Sequence, residues 1–415
     1  MTTQNTPAPD RVADRKRRNA ARIAGEVERE LQSLRGREDR LAGYDYFLDL
    51  LAGGIHPGAV ERRTGMPALN LLCIQAPLEL IHAAGFLPFK IFSGSHAADA
   101  LNAGGLPALT CPLLRSVQGL LQFEDSLARR PWVLPTTCDW IVKLPEMLRS
   151  TCPDAKMPDH WLELPHLKET DAGREHWRDE VFRLKKFLEN ASGRRIGRKD
   201  LARSIATYSR AWEALSRLEA RRQAGAIPFV WFLALANTFF LDAPERWTAS
   251  VDALIPTLPD NAGRKEGRIF FAGSPVYFPN FKLPRLIEEA GIAVTGDDLC
   301  SSGRIFPGGV SADAASEHEL VAALAQRYHQ GCLCPVFADN DRRVHNILAV
   351  AGNFSGVLFH VLKGCHPYDL ESHSLENALK RQGLKFIRLE TDYTAEDSRN
   401  LLTRLEAFRQ TLGEA

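Results

Sequence analysis

Residues 356–392, GVLFHVLKGCHPYDLESHSLENALKRQGLKFIRLETD, carry three patterns in succession. GVLFHVLKGC is an apolar run that reads as a buried strand, LESHSLENALKRQG has helical spacing and stops at Gly383, and LKFIRLETD reads as a second strand. A strand, a crossover helix and another strand make a parallel pair. The segment therefore predicts a doubly wound sheet.

Working back along the chain, the same order recurs. RIFFAGSPVYF, from Arg268, is a strand and turn; LPRLIEEAG is a helix closed by Gly291; IAVTGDDLC is a strand running into a loop. Nearer the start, the apolar stretch from Pro67 to Ile74, the helix-like APLELIHAAG and the apolar FLPFKIF repeat it, followed by TCPLLRSVQGLLQF and the strand-like WVLPTTCDW. Between the two units, EHWRDEVFRLKKFLENASG and GRKDLARSIATYSRAWEALSRLEARR have helical periodicity and few breakers. The predicted fold class is α/β: two doubly wound, Rossmann- or flavodoxin-like parallel-sheet domains joined by a helical segment, with an N-terminal helical arm. The expected boundaries are 1–64 for the arm, 65–165 for the first α/β domain, 166–265 for the helical connection and 266–415 for the second α/β domain. Residues up to about 40, rich in Arg, Glu and Gln, read as a flexible start and an exposed, structural helix.

A chain of 415 residues, 45% hydrophobic and 25% charged, is longer than a single core usually supports. Lys plus Arg number 52 against 51 for Asp plus Glu, so no basic field invites nucleic acid or an anionic membrane. The start MTTQNTPAPDRVADRKRRNA lacks the apolar core of a secretory signal, and no later window approaches the length needed to span a bilayer. The expected location is cytoplasmic. Thiols stay reduced there, so the 8 cysteines point to metal or redox chemistry and not to disulfides.

Their placement is more informative than their number. Cys73 ends an apolar strand; Cys111 precedes Pro112, where it can cap a helix; Cys138 follows WVLPTT; Cys300 follows IAVTGDDL; Cys334 closes CLC before Pro335; Cys365 follows GVLFHVLKG. These six read as occupying one topological position, outside the carboxyl ends of strands, where loops converge and helix N-termini favour negative charge. A single free cysteine is more often a small core hydrophobe. Cys152, in RSTCPDAK, fits that bland reading; six thiols at matching strand ends do not. Structural zinc usually shows closely paired ligands, and only Cys332 and Cys334 are close here. Ligands drawn from two domains suit a cluster held at their interface.

At these residues the chain resembles the superfamily of 2-hydroxyacyl-CoA dehydratases and benzoyl-CoA reductases, and within it the double-cubane cluster proteins. The segments that carry the resemblance are CIQAPLELIHAAGFLP, TCPLLRS, TTCDW, AGSPVYFPNFKLPRLIEEAG, DDLCSSGR, CLCPVF, HVLKGCHPYDLES and RLETDY, spread over residues 70–393. In the dehydratase branch the resemblance implies one [4Fe-4S] cubane on the counterparts of Cys73, Cys111 and Cys365. Cys138, Cys300 and either Cys332 or Cys334 would form a second set, the two cubanes joining through a sulfide as an [8Fe-9S] cluster. The family's further cysteine in CLCPVF is replaced here by Val336; Cys334, beside the proline, is preferred to Cys332 as the ligand.

The resemblance also implies a homodimeric ATP-hydrolysing [4Fe-4S] activator that delivers electrons, and a homodimer of this chain acting on a small molecule. No Gly-x-x-x-x-Gly-Lys-Ser/Thr phosphate loop occurs here, which is consistent with a nucleotide site on the partner. Beside the thiols, His366, Glu79 and His360, with His82 and Glu371, are candidates for proton delivery, and Arg115 and Arg304 for orienting an anion or bonding cluster sulfide. Each has a bland alternative as a helix acid, an ion-pair partner or a structural histidine. Three functional readings stand: an ATP-coupled double-cubane reductase, a 2-hydroxyacyl-CoA dehydratase subunit with a single [4Fe-4S] cluster, and an electron-storage or cluster-carrier protein.

Overall fold

The computed structural model describes residues 11–91, 93–101, 106–107, 109–123, 127, 130–151, 157–259, 268–305, 308–331 and 333–413. Two four-stranded sheets carry the fold. β1 (Ala68–Leu71), β2 (Leu87–Lys90), β3 (Trp132–Pro135) and β4 (His160–Leu162) form the first, in the order β2-β1-β3-β4. β5 (Arg268–Gly273), β6 (Ala293–Asp297), β7 (Gly356–Leu362) and β8 (Lys385–Thr391) form the second, in the order β6-β5-β7-β8. The two orders are the same.

Every strand pair is parallel. Parallel strands need crossovers, and helices supply them, so every strand except the edge strands β4 and β8 is largely buried. β7 is buried along its whole length. Because all strands of a sheet run one way, their carboxyl ends share one edge. The apolar stretch at 67–74 is strand only as far as Leu71, which leaves Cys73 beyond the sheet edge. β6 stops where the Asp297 carboxylate accepts from Leu299 N (2.9 Å), Ser302 Oγ (2.8 Å) and Gly303 N (2.9 Å), a local turn that competes with further pairing.

Helices Asp171–Ser192, Arg198–Gln223, Phe229–Asn237 and Pro244–Leu254 fill the region between the sheets. They are braces and not an extended link. Ser204 Oγ donates to Glu79 O (2.8 Å) in the first unit, while buried Arg222 pairs with Asp297 (2.7 Å) and Trp177 Nε1 donates to Ala325 O (2.8 Å) in the second. All but the last residue of Phe229–Asn237 is buried, which explains its uniformly apolar sequence.

The N-terminal helix Arg11–Arg35 corrects one expectation: it is not simply exposed. Ile23, Val27, Leu31 and Leu34 recur at helical spacing and are buried. Glu26 on the same helix accepts from His96 N (2.9 Å), Ala97 N (3.0 Å) and Ser95 Oγ (2.5 Å), satisfying the first turn of helix His96–Ala100 from a distance in sequence. Glu30 pairs with Arg285 (2.6 Å), and just past the helix Arg37 pairs with Glu288 (3.0 Å), both on helix Lys282–Glu289 of the second unit. A polar sequence here is an amphipathic clamp.

Candidate metal centre

The carboxyl-terminal edges of the two sheets face a common cavity of about 710 Å³, its open mouth included. Cys73, Cys111, Cys138, Cys300, Cys334 and Cys365 all line it, and all are free thiols. Cys152 and Cys332 lie outside the described residues. Three of the six come from each half of the chain.

Local structure aims them. Cys138 and Cys365 each stand three residues past the end of the third strand of their sheet, β3 or β7, and each begins a helix. Their carbonyls accept from Val142 N and Asp369 N, both at 3.0 Å. Cys111 plays the same part before Pro112, with Leu114 N (3.0 Å) and Arg115 N (3.2 Å) on its carbonyl. Three thiols therefore sit at helix starts, where unsatisfied N–H groups stabilise an anion. Cys73 and Cys300 lie in the loops just past the ends of β1, at Leu71, and β6, at Asp297. Cys334 does not follow a strand: it closes a turn after helix Glu317–Gly331, with Phe337 N on its carbonyl (3.2 Å). The single topological position expected for six thiols thus holds for four of them, and Cys111 and Cys334 arrive on crossover loops.

Gly364 brings two of these loops together. Its φ is +73°, and a Cβ there would stand 2.1 Å from Leu109 O and 3.3 Å from Cys111 N. Only glycine allows the loop before Cys111 to approach so closely. Trp140 Nε1 donates to the Gly364 carbonyl (3.1 Å), which ties the helix after Cys138 to the same loop. Cys111, Cys138 and Cys365 are thereby held at one wall.

The chamber is electrostatically costly for thiolates. Burial pushes Cys138 up to about 12 and Cys334 up to about 11. Burial, with Cys334 and Cys300 adding their charge, raises Cys73. A hydrogen bond with Cys111 and then burial raise Cys365. The Cys138 thiol feels Cys365 and Cys334, one from each of the two expected ligand sets. The sets interleave in one chamber. Such an arrangement favours a bound cation, which supplies the charge that water no longer does.

The donor set fits a cluster better than a single ion. Four ligands about 2.3 Å from one zinc ion must lie within roughly 4 Å of each other. Among the described residues, the one trio of His, Cys, Asp or Glu donors gathered within 4.8 Å is Glu163, His176 and Glu180, and it is remote from the thiols in sequence and includes none of them. All-sulfur ligands spaced more widely around a partly apolar chamber match an iron-sulfur cluster.

The other candidates separate. Arg304 stands one layer behind the chamber: it donates to Asp298 O (2.7 Å), to Leu333 O and to the hydroxyl of Tyr368, whose side chain is in the lining. Arg115 is turned to Asp99 (2.5 Å). Glu79, fully buried, pairs with Arg327 and accepts from Tyr328 Oη (3.0 Å), so it bonds helix to helix and is absent from the lining. His360 is buried in β7, its Nδ1 2.9 Å from Ser274 O and its Nε2 2.8 Å from Thr391 Oγ1; a neutral ring donating at Nδ1 and accepting at Nε2 satisfies both. His366 is exposed beside Trp140, 6.2 Å between ring centroids. His82 faces Ser204 Oγ (3.0 Å), and Glu371 accepts from Arg343 Nε (2.7 Å).

Residues that sequence reading passed over are the ones in the lining. Tyr368 and Trp140 are there, and so is Lys90, the last residue of β2. Lys90 Nζ donates to Cys300 O (3.1 Å), and burial draws the ammonium down to about 8, still charged at neutral pH. A lysine interrupting the apolar run FLPFKIF was the available signal.

The family model for 2-hydroxyglutaryl-CoA dehydratase, D-component, matches residues 73–412, from the first chamber thiol to the last helix. The YjiM protein of Escherichia coli (strain K12), provisionally designated a dehydratase subunit, is 28% identical over 90% of this chain and 99% of its own length. The (R)-2-hydroxyglutaryl-CoA dehydratase subunit beta of Acidaminococcus fermentans is 21% identical over 85% of this chain and 94% of its own. A benzoyl-CoA reductase subunit of Thauera aromatica is 23% identical over 76% and 82%. With a model match that begins at Cys73 and takes in seven of the eight strands described, the chain belongs to the 2-hydroxyglutaryl-CoA dehydratase D-component family.

Proposed function

We propose that this chain is an iron-sulfur enzyme whose six chamber thiols hold a double-cubane [8Fe-9S] cluster, and that it reduces small molecules with electrons from a separate ATP-hydrolysing iron-sulfur partner. The observation that carries this reading is the convergence of three thiols from each half on one cavity. Two separate sites would need two separated sets, whereas the sets interleave here. When bound, such a cluster supplies electrons at a potential set by its net charge, hydrogen bonds and burial.

The chain's own residues define the surroundings. Helix starts at Cys111, Cys138 and Cys365 direct N–H groups toward the anionic sulfur side. Arg304 fixes the Tyr368 phenol at the wall, and Lys90 places a cation beside the backbone of Cys300. Apolar Leu72, Ile74, Leu113 and Ile141 limit the water that can enter. A homodimer, a cytoplasmic location and an activator docking at the chamber mouth belong to the same proposal.

The match to a dehydratase component favours a second reading, a 2-hydroxyacyl-CoA dehydratase subunit with one [4Fe-4S] cubane on Cys73, Cys111 and Cys365. Anaerobic purification with iron, sulfide and EPR analysis separates the two. About eight iron atoms per chain support the double cubane and about four the dehydratase reading. A zinc-loaded or metal-free anaerobic preparation overturns both.

A further inference from the structure

A second cavity, of about 510 Å³ with its mouth, lies against the first and is lined by Ile55, Lys90, Asn237, Phe240, Tyr277 and Ser301 among others. Among the lining residues of the two cavities, Lys90 alone belongs to both. Its ammonium lies 5.2 Å from the Phe240 ring centroid and 4.8 Å from that of Tyr277, both walls of the second cavity, while it donates to the carbonyl of Cys300 in the first. Burial, with Cys300 adding its charge, holds the Tyr277 phenol well above its usual range. Lys90 and Tyr277 therefore form the partition, and Ser301 continues it.

The two spaces differ in chemistry. The thiol chamber is walled mainly by sulfur and hydrocarbon, whereas the second cavity adds an amide at Asn237 and hydroxyls at Ser301 and Tyr277 to its apolar lining. Its only partly exposed lining residues are Gly54 and Ile55, just past helix Asp45–Gly53, and Asn237, which ends helix Phe229–Asn237, so the cavity opens there. A small polar molecule entering there meets the Lys90 side-chain nitrogen at the inner end. Aromatic faces hold an ammonium without removing its attraction for an anion.

We propose that the Phe240–Tyr277 cavity is the entry route for a small anionic ligand of the iron site, and that Lys90 is the positioning residue that draws it through the partition. This rests on the iron-sulfur reading above and adds to it a route, a ligand charge and a residue. Removing the charge weakens ligand capture; narrowing the mouth slows it.

The test uses full-length protein loaded with iron anaerobically and reduced chemically, with azide as the probe and the EPR spectrum as the readout. Iron is counted first in the wild type and in Lys90→Met, Lys90→Arg and Ile55→Trp. With equal iron, Lys90→Met is expected to need about tenfold more azide for the same spectral change, as loss of one charge-assisted contact implies. Lys90→Arg restores the wild-type azide dependence, a rescue that a merely structural lysine would not tie to charge. Ile55→Trp slows the change after mixing and leaves the final azide dependence as it was. Iron-loaded variants that all respond like the wild type overturn the route and the role of Lys90 while the cluster reading stands, as does a wild-type cluster indifferent to azide. Wild-type protein without iron overturns the cluster reading and this inference with it.

Discussion

The two sheets have the same strand order and put a cysteine at the same place, three residues past the third strand, yet their loops are built differently. In the first half the loop before Cys138 is TT, with Thr136 N bonded to Leu162 O (3.0 Å) in ordinary extended pairing. In the second it is KG, where Gly364 takes a positive φ and lets another loop lie on its back. The lesson is that equivalent cysteines need not be equivalently supported. Each thiol is placed by its own strand and helix, and Trp140 ties the helix after Cys138 to the Gly364 carbonyl; the Cys365 loop alone of the two also carries the loop before Cys111 on its back.

The largest effect should come from the thiols themselves. Cys138→Ser and Cys365→Ser are each expected to lose most of the bound iron, measured by metal analysis of anaerobic protein, because both start helices and both face the shared chamber. If one variant keeps its full iron content, the two halves are not equal ligand donors.

Gly364→Ala comes next and tests the difference directly. A Cβ 2.1 Å from Leu109 O must displace the loop before Cys111, so iron loading should fall with all the cysteines in place. Thr137→Ala, at the corresponding position of the first half, should leave loading near wild type. Equal behaviour of the two would remove the contrast between the loops.

A smaller effect concerns the strands behind the loops. β7 carries His360 where β3, counted from the strand end, carries Val133, and burial holds the His360 ring down at about 4. An unfolded histidine titrates near 6.5, so the unfolded chain takes up the proton first as pH falls. The stability from a neutral buried ring is full above about 6.5 and is lost toward 4. Between pH 7 and pH 5 the loss should be about 2 kcal/mol by denaturant unfolding, and His360→Gln should flatten that part of the profile. An unchanged profile would place the acid sensitivity elsewhere, for instance at His160 in β4, which burial also holds at about 4.

Much of the fold was legible because its signals are local. The buried strand GVLFHVL, the stop at Gly383 and the helix after Cys365 follow from periodicity and breakers within a few residues. The same holds for the repeated strand and helix order that predicts two parallel sheets. The N-terminal helix reads as exposed for the opposite reason: its apolar stripe is thin, and its carboxylates find partners on helices distant in sequence, such as Arg285. Among the candidate proton donors, Glu79 sits next to helix residues that suggest chemistry, but its charge is taken up by Arg327, about 250 residues away.

By itself the sequence determined the α/β class, the strand ends at which cysteines stand and, through the order of its motifs, the family. Strand and helix are set by near neighbours, and motif order survives without any knowledge of distance. Only the tertiary structure decided that six thiols share one chamber, that Gly364 admits the Cys111 loop and that Lys90 divides that chamber from a second cavity. Those facts depend on how two sheets face each other. That orientation is fixed by helix packing and ion pairs between segments hundreds of residues apart, which leave no pattern in any short stretch of chain.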